Sequence, residues 1–167
     1  MKMVSVLMVC MGNICRSPTA HGVFARKIFD AGLSMRVRVD SAGTYAGHKG
    51  QPPDKRARQV ASKRGYDLEP LRSRPLSRDD FTRFDLIIVM DEQNKQDVLK
   101  RAAEHGFTGT VAKLLDFHPD PDAHDEDVPD PYYGGASGFD RVLDLVEPAC
   151  DGLIEHVIEH KLRAGNV

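Results

Sequence analysis

The spacing of apolar residues along the chain predicts alternating strands and helices. Continuous apolar runs with β-branched residues are typical of parallel strands covered on both faces, whereas alternating apolar and charged residues indicate a half-buried strand nearer a sheet edge. These patterns predict four strands, at residues 4–9, 35–40, 86–90 and 111–115. Apolar residues at helical spacing, bounded by cap residues and glycines, predict helices at residues 18–31, 52–64, 77–84, 93–105 and 139–162.

The order of these elements predicts the fold class. It implies an α/β fold with a single doubly wound, four-stranded parallel sheet flanked by helices. A chain of 167 residues suits one domain spanning residues 1–167. We expect Leu99 and Ala103 to face inward in the fourth helix. We also expect Pro148 to kink or interrupt the last helix, because it removes a backbone donor.

The segment between the first strand and the first helix carries the strongest chemical signal. It reads Cys10-Met11-Gly12-Asn13-Ile14-Cys15-Arg16-Ser17-Pro18. A loop that ends at a helix N-terminus directs backbone N–H groups at an anion and favours a thiolate. The Arg16 guanidinium can close the loop as a planar fork on two phosphate oxygens. We therefore predict a phosphate-binding loop after strand one, with Ser17 as N-cap and Pro18 as the first helical residue.

Other polar residues follow the remaining strands. Ser41 comes after the second predicted strand and Asp91 after the third, while Asp130 lies in the long loop of residues 116–138 after the fourth. Ligands of doubly wound sheets bind beyond the carboxyl ends of the strands. We therefore expect these residues and Cys10 to approach one rim of the sheet.

Composition narrows the classes of partner and compartment. Hydrophobic residues make up 41% and charged residues 29% of the chain, as in ordinary globular proteins, and the net charge of −2 favours neither nucleic acid nor a membrane surface. The three cysteines argue against a disulfide framework and for a reducing, cytoplasmic location. The apolar residues after Lys2 lack a cleavage site and form the first strand rather than a signal peptide.

The motif of residues 10–18 resembles the low molecular weight protein tyrosine phosphatase family, and its bacterial-type members in particular. The similarity extends over most of the chain. It includes residues 40–44, Pro52-Pro53-Asp54, Met90-Asp91-Glu92 and Asp130-Pro131-Tyr132-Tyr133-Gly134. The resemblance implies hydrolysis of phosphotyrosine and small aryl phosphates through a cysteinyl-phosphate intermediate, without a metal or other cofactor.

The resemblance also implies catalytic and phosphate-binding roles. Cys10 is the expected nucleophile and Arg16 binds the phosphate. Asp130 is the general acid for the leaving group and then the general base for water. The backbone of the loop holds the phosphate oxygens through Met11, Gly12, Asn13, Ile14 and Cys15.

Supporting roles come from the same family pattern. Ser17 matches the serine that hydrogen-bonds the thiolate and assists its departure. Asn13 and Ser41 resemble a pair that orients the loop, and Asp91 resembles the aspartate that supports the arginine. Each of these four side chains also suits an ordinary cap or turn, and for Ser17 the two roles are compatible.

Aromatic residues are expected to line the substrate cleft. By resemblance, Tyr132 and Tyr133 form its walls. The chain departs from the family at Gly47, where an aromatic side chain is common, and Tyr45 stands two residues earlier.

Further titratable residues suggest redox chemistry more than metal binding. A second thiol at Cys15 can trap an oxidised Cys10 as a disulfide, as the family resemblance implies, while Cys150 belongs to the core. The aspartate-rich segment of residues 116–127 contains His118 and His124, but it lacks tight ligand spacing and is expected to be a solvated loop.

Three alternative functions remain open from the sequence. An arsenate reductase needs further cysteines placed to relay a disulfide, and Cys150 is poorly placed for that. A phosphoarginine phosphatase of this family typically has threonine where Ile14 stands. A non-catalytic phosphopeptide-binding relative would not need Cys10, Arg16 and Asp130 together. The expected partners are a phosphotyrosine-containing protein and a cognate tyrosine kinase, and the expected state is a monomer.

Overall fold

Four parallel strands form the sheet of this protein. The computed structural model describes residues 3–135 and 137–163. The strands are β1 (Val4–Cys10), β2 (Val37–Gly43), β3 (Leu86–Val89) and β4 (Thr110–Lys113), in the spatial order β2-β1-β3-β4. Every pairing in this order is parallel. The predicted α/β fold class is confirmed, and β2, whose sequence alternates, lies at an edge.

Helices cover both faces of the sheet. They are α1 (Arg16–Asp30), α2 (Lys55–Lys63), α3 (Asp80–Arg83), α4 (Glu92–Glu104) and α5 (Ser137–Val157). Side chains of β1 alternate between the two faces, because successive residues of a strand point to opposite sides. Val6 and Met8 join the core under α1, α2 and α5, whereas Leu7 and Val9 join the core under α3 and α4.

Two element boundaries differ from prediction for a chemical reason. Helix α1 begins at Arg16 with Cys15 as its N-cap, so Ser17 lies inside the helix rather than capping it. The Ser17 hydroxyl is instead engaged by Cys10 and Asn13. Strand β2 continues to Gly43, because its pairing with β1 runs as far as Cys10, and it therefore includes Ser41.

Helix α4 departs from prediction in its buried face, and helix α5 departs from prediction in its continuity. Leu99 is 39% exposed and Ala103 is also exposed, because α4 buries only the narrower stripe that contains Val98 and Ala102. Helix α5 continues through Pro148 without interruption and ends in a π-helical turn, Ile158–Leu162. None of the helices in the described residues has an apolar stretch long enough to span a bilayer.

The topology creates a crevice at the carboxyl ends of β1 and β3. These strands are neighbours, but the chain leaves β1 for α1 on one face and leaves β3 for α4 on the other. The connections therefore diverge, as expected at the switch point of a doubly wound sheet. Cys10 and Asp91 lie beside this opening.

Candidate active site

The loop of residues 10–16 is held by its carbonyl groups. Each of four carbonyl oxygens accepts a hydrogen bond from a residue outside the loop. The bonds are Thr44 N to Cys10 O (3.0 Å), Tyr45 N to Met11 O (2.9 Å), Ser73 Oγ to Gly12 O (3.0 Å) and Asp54 N to Ile14 O (2.7 Å). The loop is thus anchored to the chain after β2, to the start of α2 and to the segment before α3.

Outward carbonyls turn the backbone N–H groups inward. In a planar trans peptide, the C=O group and the N–H group of the next residue point to opposite sides. The N–H groups of residues 11, 12, 13 and 15 therefore face the concave side of the loop, and that of Asn13 donates to Cys10 Sγ over 3.3 Å. With the N-terminus of α1 beside them, these donors form a cradle for one tetrahedral oxyanion.

Two backbone features allow the loop to close this tightly. Asn13 is buried and has a φ of 55°, in the left-handed region that asparagine tolerates better than most residues. Gly43 lies against the loop, and a Cβ atom there would come within 2.6 Å of Met11 O. A side chain at residue 43 would therefore push the loop out of place.

A chain of hydrogen bonds ends on the Cys10 sulfur. Arg74 N donates to Asn13 Oδ1 over 3.0 Å, which fixes the orientation of the amide. Asn13 Nδ2 must then donate to Ser17 Oγ, 2.8 Å away, and the Ser17 hydroxyl proton is free for Cys10 Sγ at 3.0 Å. Two donors, this hydroxyl and the Asn13 N–H, therefore stabilise negative charge on Cys10.

Cys15 is held as a thiol. Burial, reinforced by the charges of Asp54 and Cys10, raises the pKa of Cys15 above its ordinary range. The side chain is only 5% exposed, and its backbone carbonyl accepts from Thr19. The hydrogen bonds that favour a thiolate in this loop go to Cys10 instead.

Arg16 is fixed along one edge of its guanidinium. Nη1 donates to Asp91 Oδ2 over 2.6 Å and to Val128 O over 3.1 Å, which leaves Nη2 and Nε to face an anion. Burial disfavours the cation, but the charges of Cys10 and Asp91 raise the pKa of Arg16 above its ordinary value. Asp91 Oδ1 also caps α4 by accepting from Asn94 N. Val128 could not be predicted from its residue type, because it contributes a backbone carbonyl.

Asp130 lies across the opening from Cys10 and Arg16. Its Oδ1 accepts from Tyr132 N over 3.0 Å, and its Oδ2 lies 3.8 Å from Arg16 Nη2. The carboxyl group is 36% exposed and is therefore open to solvent. A pocket with about 370 Å³ of empty space lies at this opening. It brings together the loop residues expected to bind phosphate and the two tyrosines expected to form the cleft wall. Its lining consists of Cys10, Met11, Gly12, Ile14, Cys15, Arg16, His48, Asp130, Tyr132 and Tyr133.

His48 lines this pocket, and the Tyr45 ring packs behind it. A Cβ atom on Gly47 would lie 2.2 Å from the ring of Tyr45, so this ring occupies the space where a side chain of residue 47 would begin. The Tyr45 ring meets His48 edge-on at 5.8 Å, and His48 faces Tyr132 at 6.5 Å. His48 was missed, since a lone histidine in a glycine-rich loop carries no pattern.

Ser41 does not pair with Asn13 as the family pattern suggests. Its hydroxyl lies 2.9 Å from His21 Nδ1, and the Asn13 carbonyl oxygen is held by the Arg74 N–H instead. The Asn13 amide is thus oriented by a backbone donor, which residue identity does not reveal. Burial lowers the pKa of His21, so its imidazole is neutral at pH 7.

The aspartate-rich loop does not assemble a metal centre in the part of the chain that is described. No group of three or more histidine, cysteine, aspartate or glutamate side chains within residues 3–135 and 137–163 is placed to hold a metal ion. His118 Nδ1 accepts from Asp120 N, and His124 Nε2 lies 2.7 Å from His118 O. These histidines thus serve the local loop structure.

Comparison with known proteins places this geometry in a family. The family model described as low molecular weight phosphotyrosine protein phosphatase matches residues 5–163. The chain belongs to this family. The low molecular weight protein-tyrosine-phosphatase of Streptomyces coelicolor is 40% identical over 154 residues, covering 92% of this chain and 93% of the relative. The expected family and enzyme class are therefore confirmed, and the chain is a protein-tyrosine phosphatase.

Solved structures of this phosphatase family share the whole fold. A protein tyrosine phosphatase from Entamoeba histolytica superposes with a TM-score of 0.84 at 39% identity, covering 98% of this chain and 99% of that chain. YfkJ from Bacillus subtilis superposes with a TM-score of 0.87 at 34% identity, covering 96% and 98%. The four-stranded sheet and its flanking helices are thus the fold of this phosphatase family.

Proposed function

We propose that this phosphatase hydrolyses phosphotyrosine in proteins, and small aryl phosphates, with Cys10 as nucleophile, Arg16 as phosphate ligand and Asp130 as acid and base. The observation that carries the proposal is the position of Cys10 Sγ. It receives hydrogen bonds from Ser17 and Asn13 at the centre of the inward N–H groups, with Arg16 and Asp130 on the open side.

The first step transfers the phosphoryl group to sulfur. The Cys10 thiolate attacks phosphorus, an S–P bond forms, and the bond from phosphorus to the phenolic oxygen breaks in line with it. The loop N–H groups and Arg16 stabilise the three equatorial oxygens. Asp130, in its protonated form, gives its proton to the departing phenolic oxygen.

The second step releases inorganic phosphate. Asp130, now a carboxylate, takes a proton from a water molecule that attacks phosphorus from the side the phenol has left. The S–P bond breaks, and the electron pair returns to Cys10 as a thiolate. The Ser17 hydroxyl stabilises this departing charge through its 3.0 Å contact with sulfur.

The pocket shape supports an aromatic leaving group. Tyr132 is 38% exposed and meets Tyr133 edge-on with ring centroids 4.9 Å apart, so a phenyl ring bound above Cys10 would be flanked by aromatic surface. Arg56 stacks on Tyr132 at 5.7 Å and donates to its backbone carbonyl, which fixes this wall. Ile14, an apolar residue on the floor, suits an aryl ring better than a guanidinium.

The test compares variants on one set of substrates in the presence of a chelator. Wild type should hydrolyse p-nitrophenyl phosphate and a phosphotyrosine peptide, whereas Cys10→Ser should be inactive and still bind phosphate or vanadate. On the phosphotyrosine peptide, whose leaving group needs a proton, Asp130→Ala should lose about 10²–10⁴-fold, as expected for a general acid. Glu126→Ala is the matched control, because this carboxylate is exposed in the same loop. Equal activity of Asp130→Ala and wild type, or faster hydrolysis of phosphoarginine, would contradict the proposal.

We further propose that the chain acts as one domain and as a monomer, on phosphotyrosine proteins of the cytoplasm that a cognate kinase modifies. A core continuous from β1 through α5 supports the single domain. Three free, buried thiols suit a reducing compartment. Sedimentation of the purified chain and proteomic comparison of phosphotyrosine sites with and without the active phosphatase would test these points.

A further inference from the structure

Lys113, the last residue of β4, is a buried cation outside the pocket. Its side chain is 4% exposed, and Nζ lies 3.0 Å from Asp127 Oδ1, 3.3 Å from Glu92 Oε1 and 3.4 Å from Asp125 Oδ1. Nζ also donates to the backbone carbonyl of Asp125 over 2.9 Å. Burial disfavours the charge, but the hydrogen bonds and charges of these three carboxylates raise the pKa of Lys113, which stays cationic.

Two of these carboxylates belong to the segment that carries Asp130. We call residues 125–130 the acid segment. It begins at Asp125, a non-glycine residue with a φ of 63°, and this conformation is held from outside by the contacts to Lys113. Asp127 Oδ1 also accepts from Glu92 N at the start of α4, over 3.1 Å. Lys113 therefore joins β4, α4 and the acid segment at one point.

The far end of the acid segment reaches the catalytic groups. Val128 is fully buried, its N–H donates to Met90 O over 2.8 Å, and its carbonyl accepts from Arg16 Nη1. Asp130 follows after a single residue, Pro129, whose ring fixes one backbone dihedral angle. A displacement of Asp127 would pass along this short, stiff stretch to Asp130.

We propose that Lys113 is a positioning residue for catalysis, which holds Asp130 over the leaving group by neutralising the carboxylates at the base of the acid segment. The inference rests on the proposed role of Asp130 as general acid. Without the ammonium group, Glu92, Asp125 and Asp127 would face one another as like charges, and the acid segment would move outward. Proton transfer would then suffer while the 10–16 loop keeps its own anchors.

A comparison of two substrates with different leaving groups distinguishes a positioning role of Lys113 from a purely structural role. Phenol has a pKa near that of tyrosine, about 10, and needs a proton as it leaves, whereas p-nitrophenol is a much stronger acid and needs little help. We would measure kcat/KM for phenyl phosphate and p-nitrophenyl phosphate with wild type, Lys113→Met, Asp130→Ala and the double variant. Lys27→Met is the matched control, because Lys27 pairs with Asp151 at 2.8 Å elsewhere on the surface.

The expected result is selective loss on the poorer leaving group. Lys113→Met should lose roughly 10- to 100-fold in kcat/KM for phenyl phosphate, since a misplacement of about 1 Å can cost about 100-fold. It should lose much less for p-nitrophenyl phosphate, and adding Lys113→Met to Asp130→Ala should cause no further loss. Lys27→Met should match wild type, and inorganic phosphate should inhibit Lys113→Met and wild type with similar constants.

Two outcomes overturn the inference and are distinct from failure of the proposed function. Equal losses on both substrates for Lys113→Met, or losses that multiply in the double variant, would show that Lys113 acts independently of Asp130. If Asp130→Ala itself shows no leaving-group dependence, the assignment of Asp130 as the acid fails first. Should Lys113→Met not fold, Asp127→Asn weakens the same cluster, and it should show the same dependence on the leaving group to a smaller degree.

Discussion

Replacing Ser17 with alanine should separate the two halves of the reaction. The Ser17 hydroxyl is fully buried and donates to Cys10 Sγ at 3.0 Å, and nothing in alanine replaces it. Attack consumes charge on sulfur, so the lost bond matters little in the first step. Thiolate departure creates charge on sulfur in the second step, where the hydrogen bond is stronger in the transition state than in the ground state.

The size of the effect follows from the type of bond. A hydrogen bond to a charged group contributes about 1.5–3 kcal/mol, and about 1.4 kcal/mol corresponds to tenfold in rate. Hydrolysis of the cysteinyl phosphate should therefore slow by about 10- to 100-fold. The variant also leaves Asn13 Nδ2 without its acceptor, 2.8 Å away in the native protein, which should cost about 1–3 kcal/mol of folding stability.

Rapid mixing with p-nitrophenyl phosphate measures both steps. Ser17→Ala should show a larger burst of p-nitrophenol than wild type, because the phosphoenzyme accumulates, and a lower kcat with a smaller change in kcat/KM. Thr19→Ala is the control: Thr19 Oγ1 donates to Cys15 O in the same helical turn and does not contact the Cys10 sulfur. Parallel decreases in kcat and kcat/KM for Ser17→Ala, with no burst, would refute this reasoning.

Three further predictions concern the loop, its thiols and a buried histidine. Gly43→Ala places a Cβ atom 2.6 Å from a loop carbonyl oxygen. The free energy of phosphate binding, measured by calorimetry, should change more than the free energy of unfolding obtained from Tm. Unchanged phosphate affinity would contradict the close approach. Peroxide should link Cys10 to Cys15, detected by mass spectrometry of unreduced peptides, and dithiothreitol should restore activity; irreversible oxidation of Cys10 alone would exclude the trap. Burial lowers the pKa of His21, and it also lowers the pKa of His156, which is less buried. The unfolded chain then binds more protons below about pH 6.5, so stability is complete above that pH and is lost as pH falls. His21→Gln should flatten the decrease in urea-unfolding free energy below pH 6.5, and an unchanged slope would assign it to other groups.

The order of the strands and helices was predictable, because it depends on local sequence pattern. Continuous apolar runs predicted β1 and β3 as strands buried on both faces, and the spacing from Cys10 to Arg16 predicted the loop. The sequence placed Cys10, Ser41, Asp91 and Asp130 after successive strands and therefore near one rim. Cys10, Asp91 and Asp130 do meet around Arg16, whereas Ser41 lies within β2 and contacts His21.

Contacts made by backbone groups across long sequence distances were not predictable. Asn13 is oriented by the N–H of Arg74, 61 residues away, and Arg16 by the carbonyl of Val128, 112 residues away. Every residue type has a backbone carbonyl and all but proline have a backbone N–H, so residue spacing does not predict these contacts. The start of α1 at Arg16 was misplaced for a related reason: the Ser17 hydroxyl resembles an N-cap in sequence, but the sulfur and the Asn13 amide compete for it.

The pocket has a floor of main chain and a rim of side chains, and this division bears on inhibitor design. A compound that only satisfies the inward N–H groups and the free edge of Arg16 would bind any phosphatase with the same loop. Its contacts go only to the backbone and to the arginine of the loop itself. Selectivity for this protein must come from the rim. There His48, which the Tyr45 ring meets edge-on, lies with Tyr132 and Tyr133 beside the anion site and offers an aromatic surface.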